Sequence, residues 1–102
     1  MEIQPRVHGT STVLELTGRF TFEDHPTFKA ALTQLWERTG AKAVTLDFSG
    51  LSYLDSSALG LMLLMRERAA AAGVKLVIRR PSEAVRKLIL VVNFDRLFEI
   101  QG

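Results

Sequence analysis

The 102-residue sequence contains no cysteine, which excludes disulfide bonds and thiolate metal sites. This is compatible with a reducing compartment, and we expect the protein to be cytoplasmic. The longest apolar-rich stretch, Ala58 to Met65, is too short to cross a bilayer, so no membrane insertion is predicted. The first residues include the charged Glu2 and no apolar run, so they lack the pattern of a signal peptide.

The chain also carries little excess charge of either sign. Thirteen lysine and arginine residues stand against eleven acidic ones, which gives a formal net charge of only +2. This excess forms no dense basic cluster, so nucleic-acid binding is not predicted. Hydrophobic residues make up 47% of the chain and charged residues 24%, a balance typical of a folded protein with one modest core. We therefore interpret residues 1–102 as a single domain.

Sequence patterns of catalytic sites are missing as well. His8 and His25 lie far apart, and neither is placed to activate a serine. The chain has no Gly-x-Ser-x-Gly elbow and no glycine-rich phosphate loop. Asp47 and Asp55 offer two carboxylates without a third ligand, which is too few for a metal site. The sequence thus predicts no metal, no cofactor and no catalytic residue, and it favours a protein that acts by binding.

The apolar pattern predicts alternating strands and helices. Strands are predicted at residues 1–6, 12–17, 43–48 and 74–78, with a last short strand or helical turn at 96–100. Helices are predicted from the N-cap Asp24 to Thr39, from about Ser57 to Ala72, and from the N-cap Ser82 to Asn93. A turn at residues 8–11 makes the first two strands antiparallel, and Pro5 confines the first to a sheet edge. Gly18 marks the end of the second strand.

This order of elements predicts the fold class. Strands that alternate with helices imply a parallel sheet with right-handed crossovers. We expect an α/β fold with a mixed, mostly parallel sheet of four to five strands. The N-terminal strand should be antiparallel, and three to four helices should pack on the sheet.

The most distinctive stretch follows the 43–48 strand. A loop at residues 49–54 is predicted to lead into Asp55, Ser56 and Ser57, where a long helix begins. The N–H groups of a first helical turn lack intrahelical partners, and the helix dipole there favours negative charge. A phosphate on Ser56 would therefore be accommodated. The simpler alternative is that the two hydroxyls only cap the helix.

The segment Leu51-Ser-Tyr-Leu-Asp-Ser-Ser-Ala-Leu-Gly60 is close to the Asp-Ser-Ser/Thr-Gly-Leu-Gly signature of STAS domains. That family comprises sulfate-transporter C-terminal domains and bacterial anti-sigma factor antagonists. Supporting matches are Gly18 after the second strand, the strand at 44–48, Gly73 before the next strand, and residues 81–98. The chain resembles this family over essentially its whole length, so a STAS fold is expected.

The resemblance implies a phosphorylation switch. In antagonists of this family the serine after the aspartate, here Ser56, is phosphorylated by an anti-sigma factor that is also a serine kinase using ATP and Mg²⁺. The unphosphorylated antagonist binds this kinase and frees a sigma factor. A metal-dependent serine phosphatase resets the switch. By this resemblance the chain is an anti-sigma factor antagonist without catalytic activity, in which Asp55 and Ser57 shape the switch loop.

The chain departs from the family pattern at two positions. Ala58 replaces the first signature glycine, which is a mild change inside a helix. The family often has an acidic residue shortly after the second strand, where this chain has Thr21. That difference fits an alternative, a STAS interaction module of a transporter or larger signalling assembly without phosphorylation. A hydrolase that uses Ser56 and a nucleotide-binding role are the remaining alternatives.

Candidate partner contacts lie near Ser56. On a helical wheel Leu64 falls opposite the apolar face and Leu61 falls at its border. The apolar face is predicted to contain Ala58, Leu59, Met62, Leu63, Met65 and Ala69. Leu61 and Leu64 either form a patch for a partner or are isolated surface leucines. Thr21 and Phe22, on the segment facing Ser56, complete the candidate contacts, although Phe22 could instead be a core residue.

Overall fold

The computed structural model describes residues 1–8 and 11–102. The turn predicted at residues 8–11 includes residues 9 and 10 and therefore lies outside the described residues. The strands are β1 (Glu2–His8), β2 (Ser11–Phe20), β3 (Ala43–Leu54), β4 (Lys75–Arg79) and β5 (Glu99–Gln101). The helices are α1 (His25–Thr39), α2 (Ser56–Ala71) and α3 (Glu83–Val91), with 3-10 turns at Phe22–Asp24 and Phe94–Arg96.

The five strands form one sheet in the order β1-β2-β3-β4-β5. β1 pairs antiparallel with β2, and all other pairs are parallel. Pro5 lies on the edge strand β1, where its missing N–H costs no hydrogen bond within the sheet. The predicted mixed, mostly parallel α/β fold is confirmed.

The core lies on one face of this sheet. Side chains alternate along a strand, and Leu14, Leu46 and Ile78 point to the face where the helices pack. Helix residues such as Leu32 and Met62 belong to the same fully or almost fully buried cluster. Because sequential strands are neighbours and the crossovers turn the same way, all three main helices cover this single face.

The other sheet face carries charged pairs. β2, β3 and β4 align Glu15 with Asp47 and Asp47 with Arg79. An Arg79 Nη atom donates to an Asp47 carboxylate oxygen at 2.8 Å, and Glu15 pairs with Arg6 of β1. Asp47 was expected at a strand end, but it is buried in the middle of β3 because that strand is longer than predicted.

The predicted loop at residues 49–54 is instead the second half of β3. β2 continues past Gly18, which has φ +90°, and its register with β3 shifts twice along the way. Gly50 makes this pairing possible, since a Cβ atom there would come within 2.6 Å of the Thr17 side chain. Leu51 and Leu54 point into the core from this extension. The polar composition of the stretch therefore reflects an exposed strand face rather than a loop.

Most helix ends agree with prediction. α1 ends at Gly40 in the left-handed conformation, and Asn93 adopts the same conformation after α3. Ser82 precedes α3, but its hydroxyl donates to the Leu51 carbonyl at 2.9 Å instead of capping the helix. Val92, the first residue after α3, is exposed. None of the helices in the described ranges combines the length and apolar character needed to cross a membrane.

Candidate functional site

The candidate site lies at the edge of the sheet where β2 and β3 end. Phe20 and Leu54 are the last residues of the two strands and pair with each other. The Asp55 N–H donates to the Phe20 carbonyl at 3.1 Å, which carries the pairing one residue further. This places the start of α2 beside the segment that leads from β2 into α1.

Asp55 is the N-cap of α2. Its backbone is extended, and one carboxylate oxygen accepts hydrogen bonds from the Ala58 N–H and from the Ser57 hydroxyl, both at 2.8 Å. The helix therefore starts at Ser56, one residue before the predicted start. Capping is performed by this carboxylate, and not by the serine hydroxyls as the simpler alternative assumed.

The second Asp55 carboxylate oxygen reaches across to the β2–α1 segment. It accepts a hydrogen bond from the Phe22 N–H at 3.1 Å. The Ala58 N–H, together with Ser57, Phe22 and the charge of His25, lowers the pKa of Asp55 below its usual value, against a smaller opposing effect of burial. The carboxylate is thus ionised at neutral pH and holds two segments together.

Ser56 and Ser57 have different surroundings. Ser56 is exposed at the first position of α2, whereas Ser57 is half-buried and donates its hydroxyl proton to Asp55. Of the two serines, only Ser56 is an exposed residue at the first position of the helix. The exposure is consistent with the role that the sequence predicts for Ser56.

Thr21 and Phe22 lie on the segment next to Asp55 but differ in exposure. Thr21 is half-buried, and both its N–H and its hydroxyl donate to Asp24, at 2.9 and 3.4 Å. Asp24 also pairs with the Met1 ammonium group at 3.4 Å. Burial raises the pKa of Asp24, but the Thr21 N–H and this ammonium group outweigh it and lower the pKa overall. Phe22 is 67% exposed, so it is available to a partner.

The exposed face of α2 differs from the predicted one in two leucines. Leu64 is 39% exposed, as predicted, and Leu63 is 36% exposed although it was predicted to face inward. Leu61 is only 5% exposed, so its predicted place in a surface patch is wrong. A helical wheel alone could not show whether Leu61 is buried, because the position of α1 decides which side of α2 is covered. The predicted apolar face of α2, which included Leu63, was wider than the face that a packed helix buries. This excess width was the sign in the sequence that one of its residues would be exposed.

A groove of about 610 Å³ lies between α1 and α2. Leu61 and Leu64 line it from α2, and His25 and Lys29 line it from α1. Leu61 therefore contributes to the floor of a groove rather than to a protruding patch. Within the described ranges, no three histidine and acidic side chains cluster closely enough to hold a metal ion.

A known protein family and a known protein resemble this chain over most of its length. The family model described as Mlab, STAS domain matches residues 3–100. A STAS-domain containing protein of Pseudomonas aeruginosa (strain UCBPP-PA14) is 34% identical over 98 residues, which covers 94% of this chain and 93% of that protein.

Solved structures share the fold. A candidate anti-sigma factor antagonist from Thermotoga maritima superposes with a TM-score of 0.85 at 19% identity, covering 98% of this chain and 86% of the other. The Bacillus anti-sigma factor antagonist SpoIIAA, in its unphosphorylated form, gives a TM-score of 0.75 at 24% identity, covering 99% and 89%. SpoIIAA has also been solved in a phosphorylated form.

Proposed function

The chain belongs to the STAS domain family, and from this premise we propose that it is an anti-sigma factor antagonist switched off by phosphorylation of Ser56. It acts by binding an anti-sigma factor and has no catalytic activity of its own. The observation that carries the proposal is the exposed Ser56 hydroxyl at the start of α2, directly after the N-cap Asp55. The similarity of the fold to the antagonist SpoIIAA supports it.

The switch follows from charge. A phosphate adds almost two negative charges next to the Asp55 carboxylate. The N-terminus of α2 favours negative charge, and within the described residues Ser56 is exposed and its side chain takes part in no hydrogen bond, so the fold should persist. A partner that packs over Ser56 would instead have to bury this charge without a countercharge. That penalty weakens the complex strongly.

The surface around Ser56 has the character of a docking site. We call the exposed side chains Ser56, Leu63, Leu64 and Phe22, with the exposed Gly60 between them, the switch surface. Three of its members are large apolar side chains, which stabilise a complex when they are buried. Their proximity to Ser56 explains how one phosphate would control binding.

Each remaining residue of the site has a supporting role. Asp55 and Ser57 fix the start of α2, and Thr21 holds the β2–α1 segment through Asp24. The partner that phosphorylates Ser56 would be an anti-sigma factor with serine kinase activity. A metal-dependent serine phosphatase would return the chain to its binding state.

Binding and phosphorylation can be tested on the same variants. With the anti-sigma factor of the source organism and ATP, we expect mass spectrometry to place phosphate on Ser56 of the unmutated chain and of S57A, and not of S56A. In calorimetry, S56D should bind this partner at least about 100-fold more weakly than the unmutated chain, and S56A within a few-fold. Equal affinity of S56D and S56A would refute the switch.

A second candidate function is a STAS interaction module of a transporter or larger assembly that is not phosphorylated. Thr21 favours it, because this position lacks the acid expected near the phosphorylated serine and its hydroxyl is already bonded to Asp24. In that case the partner would be a component of that transporter or signalling assembly, and no phosphoserine would be found on the chain isolated from cells.

A further inference from the structure

An arginine and a tyrosine stack on each other just before the candidate site. Arg19 of β2 and Tyr53 of β3 lie opposite each other in the register, one residue before the pair Phe20 and Leu54 that ends the two strands. The Arg19 guanidinium carbon lies 4.2 Å from the centroid of the Tyr53 ring, a distance at which a cation and an aromatic face attract each other. The two side chains therefore form one unit, which we call the Arg19–Tyr53 stack.

The Arg19–Tyr53 stack lies on the surface of the protein. Phe20 and Leu54 are buried in the core, and successive side chains of a strand point to opposite faces of the sheet. Arg19 and Tyr53 therefore point to the sheet face that carries no main helix, where Arg19 is exposed and Tyr53 is 41% exposed. Arginine and tyrosine are among the residue types that contribute most to the stability of protein complexes. The stack thus has both the exposure and the composition of a partner contact.

The Arg19 guanidinium lacks a counterion in the part of the chain that the structure describes. None of the ion pairs among residues 1–8 and 11–102 includes Arg19. Glu15, an acid of the same strand, pairs with Arg6 instead. Asp24 and Asp55, two acids of the candidate site, accept hydrogen bonds from backbone N–H groups. The positive charge of Arg19 is therefore available to a partner.

The contact with Tyr53 prepares this charge for a ligand. A guanidinium group that lies over a ring keeps its N–H donors at the edge of its own plane, where they can form two parallel hydrogen bonds to a carboxylate. A side chain that is already held by a neighbour also loses less conformational entropy when a complex forms. The Arg19–Tyr53 stack is therefore suited to bind a carboxylate.

We propose that the Arg19–Tyr53 stack binds an aspartate or glutamate side chain of the anti-sigma factor. The inference rests on the proposed function and names the chemistry of the partner. Phe22 of the switch surface follows Arg19 by three residues, and Asp55, directly before Ser56, follows Tyr53 by two. Because the Asp55 N–H extends the pairing of β2 and β3, the stack and Ser56 lie at the same end of the sheet. A partner that packs over Ser56 reaches the stack with a neighbouring segment.

Charge complementarity decides which partner segment the stack accepts. An apolar side chain packed on Arg19 would cover the guanidinium without supplying a countercharge, which costs free energy. A lysine or arginine of the partner would be repelled. An acidic side chain instead pairs with Arg19, while its aliphatic part packs on the Tyr53 ring. The stack thus discriminates between partners, in addition to the apolar side chains of the switch surface.

Calorimetry with the anti-sigma factor of the source organism tests the contact. We expect R19M to bind about tenfold and R19E about 100-fold more weakly than the unmutated chain. Y53F keeps the ring and should bind like the unmutated chain, whereas Y53V removes it and should bind about fivefold more weakly. R38E is the matched control, because Arg38 is an exposed arginine in the last turn of α1, at the end of that helix away from the candidate site. R38E should bind within a few-fold of the unmutated chain.

Equal affinity of R19E and R38E would overturn the proposal. The carboxylate is tested by changing each surface aspartate and glutamate of the anti-sigma factor to lysine, one at a time. One such partner variant should bind R19E more tightly than the unmodified partner does, and absence of any such variant would also overturn the proposal. Thermal unfolding checks that the variants are folded, and if Y53V is not, the Arg19 variants decide.

Failure of this inference differs from failure of the proposed function. If the unmutated chain binds the anti-sigma factor and R19E binds it as well as R38E does, only the Arg19–Tyr53 contact is refuted. If the unmutated chain does not bind the anti-sigma factor at all, the proposed function is refuted together with the partner named here.

Discussion

The Phe22 N–H donates a 3.1 Å hydrogen bond to the carboxylate of Asp55, a residue 33 positions later in the chain. The same carboxylate caps α2 through Ala58. One ionised group therefore fixes the start of the helix that carries Ser56 and orients the segment that carries an exposed aromatic ring. A change of charge at Ser56 acts next to the group that holds both halves of the switch surface.

Leu64 and Leu61 form a matched pair for separating binding from folding. L64A removes a side chain that is already 39% exposed, so stability should change by less than about 1 kcal/mol. Binding to the anti-sigma factor should weaken about tenfold, because the side chain is buried only in the complex. L61A leaves a cavity in the core and should cost about 3 kcal/mol. Urea unfolding and calorimetry measure the two effects, and unchanged binding by L64A would remove it from the switch surface.

Gly60 lies in the middle of α2 without a structural need for glycine. Its φ is not positive, and a Cβ atom there would meet nothing within 4 Å. G60A should therefore stabilise the isolated chain by about 1 kcal/mol through helix propensity. Gly40 is the control, since its φ of +63° makes G40A destabilising. Thermal unfolding compares the two, and a stability loss in G60A would contradict this expectation.

Local signals were sufficient for the elements around the site. Pro26 and Gly40 delimit α1 as they predict, because helix-start prolines and glycine turns act within a few residues. Asp24 occupies the predicted N-cap position, but its side chain accepts from Thr21 and does not cap α1. The Asp55-Ser56-Ser57 junction was also visible in the sequence. These features depend on the backbone of their own segment, so no knowledge of distant residues was needed.

The features that could not be predicted depend on contacts between distant segments. The extension of β3 exists because β2 continues beside it and Gly50 admits Thr17. Leu61 is buried and Leu63 is exposed because neighbouring elements cover one border of α2 and not the other. A helical wheel shows the order of side chains around a helix, but it does not show where the neighbours are.

The Asp47–Arg79 pair should contribute to stability in a way that depends on both partners. Burial raises the pKa of Asp47, but the hydrogen bonds from Arg79 and from the Ser49 N–H outweigh it and lower the pKa overall. R79A would leave the buried carboxylate without its main partner and should cost about 2 kcal/mol, less than a fully buried pair because Arg79 is 30% exposed.

The double variant D47L/R79M separates pairing from burial. It removes both charges and should recover most of the stability that R79A loses. K87A is the control, since Lys87 and Glu83 form an exposed pair at 3.9 Å and its loss should change little. Urea unfolding at pH 7 gives the comparison. A double variant no more stable than R79A would show that the charges themselves are needed.

Acid should weaken the fold by protonating the carboxylate of Asp55. The folded pKa of Asp55 lies below its usual value of 3.8, so the folded state binds its proton less readily than the unfolded state does. The stabilisation from this carboxylate is therefore complete above that value and is lost as the pH falls through the folded pKa. D55N keeps a capping side chain but removes the charge, so it should lower the melting temperature at pH 7 by roughly 3–5 °C.

The difference in melting temperature between the unmutated chain and D55N should accordingly shrink as the pH is lowered from 5 to 2.5, because the protonated carboxyl group resembles the amide in charge. E67Q, an exposed change on the same helix without a hydrogen bond or ion pair among the described residues, should stay close to the unmutated chain throughout. A D55N difference that stays constant down to pH 2.5 would mean that the ionised form of Asp55 does not hold the two segments together. In that case the Phe22 contact and the cap of α2 would owe their strength to hydrogen-bond geometry rather than to the charge of Asp55.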